Sequence, residues 1–174
     1  MATTTTSETS KKLSRLFAVM IVVGLIMALF GYFGPFEKSA GTSFDSGSSI
    51  SSLDKDNKSM KAEGSPMKGF APLKFFVRAT FILGIVTIVW FVLLCVLYID
   101  NPELIYLVIG GLTVLASILS FIFACVVRSY LDSLVPNSVV LGYGAIFLPI
   151  GGVLLGAGTA GKAFTTPKVV TLHQ

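Results

Sequence analysis

The chain has 174 residues, of which 53% are hydrophobic and 13% charged, with a mean hydropathy of +0.84 and a formal charge of +4. Soluble domains carry about 25% charged residues, so the charge deficit marks a chain whose solvent is largely lipid and excludes a sizeable soluble catalytic domain. All nine acidic residues lie outside the long apolar runs, which leaves no carboxylate deep in a span for a proton relay or ion site.

Residues 1–15 begin with Thr, Ser and Ala and then carry Lys11, Lys12 and Arg15, a composition that cannot bury a core and predicts a disordered tail. The first apolar run, 16–33, is long enough to cross a hydrocarbon core that takes about 20 helical residues, with about 17 tolerated. It exceeds the apolar region of a cleavable signal peptide, and the one passable cleavage triplet, Ser39-Ala40-Gly41, lies well beyond it. Retention as a helix is therefore expected.

Residues 34–76 read as a flexible Ser/Gly/Lys loop, with Ser48-Ser49-Ile50-Ser51-Ser52 at its centre and no cysteine to staple it. Its end, Phe70 to Phe76, mixes aromatics with Lys74 and suits the headgroup region. A second span is predicted over 77–99 and a third over 104–127. Between them Pro102, in Asp100-Asn101-Pro102-Glu103, lacks the amide hydrogen of a continuing helix, so the two form a hairpin. Pro136-Asn137-Ser138 introduces a fourth span over 139–161, with Pro149 near its middle, and residues 162–174 form a tail. The expected fold class is all-α: a polytopic membrane protein with four transmembrane helices in an antiparallel bundle. Helices are preferred because lipid offers no partner to backbone groups, and the runs lack the strict alternation of barrel strands.

Few residues carry recognisable chemistry. Gly156-Ala157-Gly158-Thr159-Ala160-Gly161 matches the dinucleotide-binding glycine pattern formally, but it lies in an apolar span without the strand that such a site needs. His173 is the one histidine and has no ligand cluster around it, so no metal site, cofactor or catalytic constellation is expected. The bases are dispersed rather than interleaved with aromatics, which gives no support for nucleic-acid binding. Cys95 and Cys125 lie near the carboxyl ends of antiparallel neighbours, at opposite membrane faces, and cannot form a disulfide within the chain. They are candidate palmitoylation sites, with simple apolar packing as the plainer role. Asn57-Lys58-Ser59 is a glycosylation sequon if the loop is exterior.

The informative pattern is small residues at helical spacing: Gly24, Ala28 and Gly31 in the first span, Thr80, Gly84 and Thr87 in the second, Gly110, Thr113, Ser117, Ser120 and Ala124 in the third, Ala145, Gly152, Gly156 and Thr159 in the fourth. In lipid such stripes allow the close backbone approach that drives helix association. The layout of four spans, a long first loop and short later connections resembles that of tetraspan families, including claudin-like and MARVEL-type proteins, and the likeness is one of layout alone. The first loop lacks the paired cysteines and tryptophan of claudin-like proteins.

The expected function is that of a non-enzymatic tetraspan protein acting by assembly or organisation of membrane proteins. Its partners are then the bilayer and other membrane proteins or further copies of itself. The alternative is a subunit of a channel, transport or secretion complex, with the Thr113, Ser117, Ser120 stripe lining a polar path. Lys68, Lys74 and Arg78 before the second span argue for a cytoplasmic loop, but Lys11, Lys12 and Arg15 before the first span, with Lys162 and Lys168 after the last, argue for cytoplasmic termini, and because the first helix usually dominates both termini are expected to be cytoplasmic.

Overall fold

The computed structural model describes residues 8–41, 47–96 and 102–165. Helix α1 (Glu8–Phe33) leads to a short strand β1 (Glu37–Ser39) and then to α2 (Ile50–Ala62). Helices α3 (Phe70–Val96) and α4 (Glu103–Leu134), strand β2 (Val139–Leu141) and α5 (Tyr143–Ala163) follow. The fold is all-helical apart from the two strands, and α1, α3, α4 and α5 are each long and apolar enough to cross a membrane.

Helix α5 is the hub. It packs extensively against α1 and α4, α3 packs mainly on α4, and α1 and α3 meet only slightly. Along the α1–α5 seam residue numbers run in opposite senses: Phe17 lies by Gly158 and Gly161, Gly24 by Gly151 and Leu155, Gly31 by Leu148. The α4–α5 seam runs likewise, from Gly110 beside Gly156 and Ala160 to Ser117 beside Gly152. So does α3–α4, where Trp90 and Phe91 meet Tyr106 and Phe76 stacks on Phe123 at 5.7 Å. At one end, Lys162 Nζ donates to the carbonyl and hydroxyl oxygens of Ser14, both at 2.9 Å, tying the last turn of α5 to α1.

The opposite end carries a cap. Strands β1 and β2 pair antiparallel, Glu37 with Leu141 and Ser39 with Val139, and so join the exit of α1 to the entry of α5. Val135, held extended before Pro136, terminates α4, and Asn137 turns the chain with φ 57°. Helix α2 starts at Ser49, whose Oγ accepts from the Ser52 amide at 3.4 Å. Its buried residues Ile50 and Leu53 are three apart and face a core of Phe36, Met67, Phe70, Leu73, Val77 and Val127.

Several boundaries differ from the sequence reading. The tail expected to be disordered over 1–15 is helical from Glu8, the span continuing toward the amino end for another two turns with Glu8 and Lys12 paired one turn apart at 3.5 Å. The loop expected to be flexible over 34–76 carries β1 and α2, and its interfacial end, 70–76, is the first two turns of α3. The third span extends from 127 to Leu134, and the first three residues assigned to the fourth, 139–141, form β2. Residues 97–101, the last three of the expected second span and the first two of the turn after it, and the tail from 166 onward lie outside the described residues.

Candidate functional site

The small residues of α1 and α5 make a backbone-to-backbone contact. A β-carbon on Gly151 would come within 2.6 Å of the Gly24 carbonyl, and one on Gly24 within 2.6 Å of the Gly151 carbonyl; Ala28 is buried against the same seam. Gly31 faces Leu148 in the next turn. On the other side of α5, Gly110 and Gly156 are reciprocal in the same way, each with the other's carbonyl 2.5–2.6 Å from where a β-carbon would lie. Backbones this close place Cα–H groups against carbonyls, a weak contact that large side chains would forbid. Gly152 faces the Ser117 hydroxyl and the Thr80 methyl. Gly84 is buried, but a β-carbon there would meet a Leu155 methyl at an ordinary 3.5 Å.

Sequence reasoning passed over Gly144, Gly158 and Gly161, which also lie in tight contacts. Gly158 and Gly161 meet Phe17 and Ile21 of α1, whereas Gly156 meets α4, so the glycine pattern that mimics a nucleotide fingerprint gives α5 a smooth surface on two sides. The signal was present in the density of glycine in this run. A helix with small residues on one face packs against one neighbour; small residues on two faces belong to a helix between two.

The hydroxyl stripe of α4 is closed off. Thr113, Ser117 and Ser120 are at most 1% exposed, and each hydroxyl donates to a carbonyl of its own helix: Ile109 at 2.7 Å, Thr113 at 2.6 Å and Ser117 at 2.8 Å. Thr80 and Thr87 of α3 and Thr159 of α5 do the same, with Phe76, Leu83 and Leu155 as acceptors. These bonds satisfy the hydroxyls without a partner helix or water, so the stripes act as small surfaces rather than as polar bridges.

Asn57 is partly buried, and its Oδ1 accepts from the Met67 amide at 2.8 Å, pinning α2 to the approach to α3. The sequon asparagine thus has a structural task. Cys125 lies partly buried on α4 as a free thiol; the side chain of Cys95 is outside the described residues. Among the described residues no group of His, Cys, Asp and Glu is arranged to hold a metal ion.

Two electrostatic features of the cap were not legible beforehand. Glu37 is 3% exposed, and among the described residues neither of its carboxylate oxygens has a hydrogen-bond partner. Burial pushes its pKa from 4.5 up to about 8, against a smaller downward pull from Arg128. Asp54, in contrast, accepts from Lys74 Nζ at 2.6 Å and lies 3.4 Å from Lys58 Nζ, and these ammoniums hold its carboxyl below the usual range. The cap end also collects charge of one sign. Lys38, Lys55, Lys58, Lys61, Lys68, Lys74, Arg78 and Arg128 all lie there, against Lys11, Lys12, Arg15 and Lys162 at the other end of the described chain.

Comparison of the chain with known protein families, with curated proteins and with solved structures returned no match.

Proposed function

We propose that this chain is a non-enzymatic multi-pass membrane protein, with its four long helices inserted as an antiparallel bundle, and that it acts by assembling or organising other membrane proteins. The observation that carries this reading is the enclosure of the α4 hydroxyl stripe. Thr113, Ser117 and Ser120, the residues best suited to line a polar path, are spent on intrahelical bonds and buried, Ser117 against Gly152 of α5. The outer surface left to the bilayer or to partners is made of large apolar side chains, such as Val22, Phe30, Ile85 and Leu115. The alternative, a subunit of a channel, transport or secretion complex with α4 along a polar path, requires the α4–α5 seam to open.

Single cysteines at Thr113, Ser117 and Ser120 separate the two readings. In native membranes they should resist a water-soluble maleimide; rapid labelling at all three positions would favour the path. Crosslinking in the same membranes should recover stable neighbours, and recovery of isolated monomers alone would count against assembly.

Orientation follows from the gathered charge. Among the described residues eight bases lie at the cap end and four at the other, and by the positive-inside rule that excess favours a cytoplasmic cap and non-cytoplasmic termini. That reverses the orientation favoured by the first and last spans alone, which leave out the bases that α2, α3 and α4 bring to the cap.

A further inference from the structure

Between the end of α1 and the first turns of α2 and α3 lies a half-enclosed cleft of about 470 Å³, bordered by Tyr32, Asp54, Lys55, Lys58, Lys74 and Arg78. Four cations share this space with one carboxylate. Asp54 engages Lys74 and Lys58, which leaves the exposed Lys55 and Arg78 without a carboxylate partner among the described residues. The first turn of α2 borders the same cleft through Ser49 and Ser51. The local chemistry is therefore that of an anion receptor, with two ammoniums steadied by Asp54 and two further cations uncommitted.

A second feature gives the anion its attachment. Lys74 and Arg78 also border an apolar groove on the outer face of α3, floored by Ala79 and Leu83 and flanked by Phe75 and Ile82, which are 65% and 57% exposed. A soluble anion would use the cleft and leave this groove empty, whereas a lipid would occupy both. We propose that the cleft binds the phosphate of an anionic glycerophospholipid, with the headgroup among Lys55, Lys58, Lys74 and Arg78 and an acyl chain along the α3 groove. The proposal rests on the membrane reading given above. It deepens that reading by naming a lipid class and a leaflet, since the site lies at the cap end.

The test uses the full-length protein in nanodiscs of phosphatidylcholine, with or without one-fifth phosphatidylglycerol, and measures retained lipid by native mass spectrometry after mild detergent release. Carbonate extraction of the source membranes comes first. A chain released by carbonate overturns the membrane reading and the lipid site with it, and an extraction-resistant chain isolates the question of the site. Wild-type protein should retain phosphatidylglycerol in preference to phosphatidylcholine. The double variant Lys55→Gln, Arg78→Gln removes the two uncommitted cations and leaves the Asp54 pairs intact, so it should fold normally and lose about tenfold or more of that preference. A Lys11→Gln, Lys12→Gln variant, altered at the other end, should keep it. Equal retention of both lipids by the wild type, or an unchanged preference in the double variant, overturns the proposal. So does displacement of phosphatidylglycerol by millimolar inorganic phosphate, which would give the cleft to a soluble anion.

Discussion

Gly110 and Gly156 illustrate how a missing side chain holds this protein together. Each carbonyl occupies the space where the other residue's β-carbon would be, so any substitution must push α4 and α5 apart. Gly156→Leu is expected to lower the thermal midpoint in detergent and to reduce yield, at a cost of about 1–3 kcal/mol or more for overpacking. Gly111, one residue from Gly110, has open space where a β-carbon would lie, so Gly111→Leu should leave the midpoint unchanged. Equal behaviour of the two variants would show that the seam is not the determinant. Glu37 offers a second test at the same scale. Because its folded pKa of about 8 lies above the ordinary 4.5, the folded chain holds a proton that the unfolded chain releases between those values. Stability contributed by this group is therefore full below about pH 4.5 and declines as pH rises toward 8, at about 1.4 kcal/mol for each unit of separation. Glu37→Gln should flatten that slope in unfolding curves taken across the window, with Arg128 close enough to act on the carboxylate and Lys38 and Asp56 bordering the same cleft. A slope that survives the substitution would assign the pH dependence elsewhere.

At the scale of elements, α2 is the part whose stability is local. It is attached through Ile50 and Leu53 in the cap core, through Asn57 to the Met67 amide, and through Asp54 to Lys74. The Asp54 bridge lies at a solvated rim, so Asp54→Asn should cost little and that little should shrink in high salt. Asn57→Ala leaves a partly buried amide without its acceptor and should cost about 1–2 kcal/mol. Hydrogen exchange is the suitable measurement, because the expected effect is faster exchange across 50–68 with the amides of α4 and α5 unchanged. Protection lost throughout the bundle would mean instead that the cap and the spans unfold as one unit. The sequence did contain a signal for α2: Ser49 as a cap, then Ile50, Leu53 and Met60 on one helical face. Its Ser- and Lys-rich background concealed that signal, since helix formation here depends on a core contributed by Phe36, Phe70 and Leu73 from other segments.

For the molecule as a whole, the compartment that meets the cap sets which partners its basic face can reach. Cysteines at Lys61 and at Lys12 sit at opposite ends of the fold, and both positions are exposed. In sealed, right-side-out vesicles an impermeant thiol reagent should label the Lys12 variant and spare the Lys61 variant until the membrane is opened. The reverse pattern would return the termini to the cytoplasm and place the basic cleft on the other leaflet. The prediction depends on a property of the folded chain. Arg128, more than sixty residues beyond the last lysine of α2, contributes its charge to the same end because α4 runs back alongside α3.

Four long apolar helices were legible from the residues alone, because hydropathy is a local property that the chain carries wherever it folds. Partner choice was not local. That Gly24 meets Gly151 while Gly110 meets Gly156 depends on α5 lying between α1 and α4, and the stripes themselves are too alike to say which pairs with which. The same holds for the electrostatics. Glu37 is an ordinary loop carboxylate in the sequence and becomes a buried acid only when β2 and the cap core close around it. Lys55, Lys58, Lys74 and Arg78 are dispersed along the chain and become one basic cleft only when α2 folds back onto α3, because charge density, unlike hydropathy, is a property of distances in space.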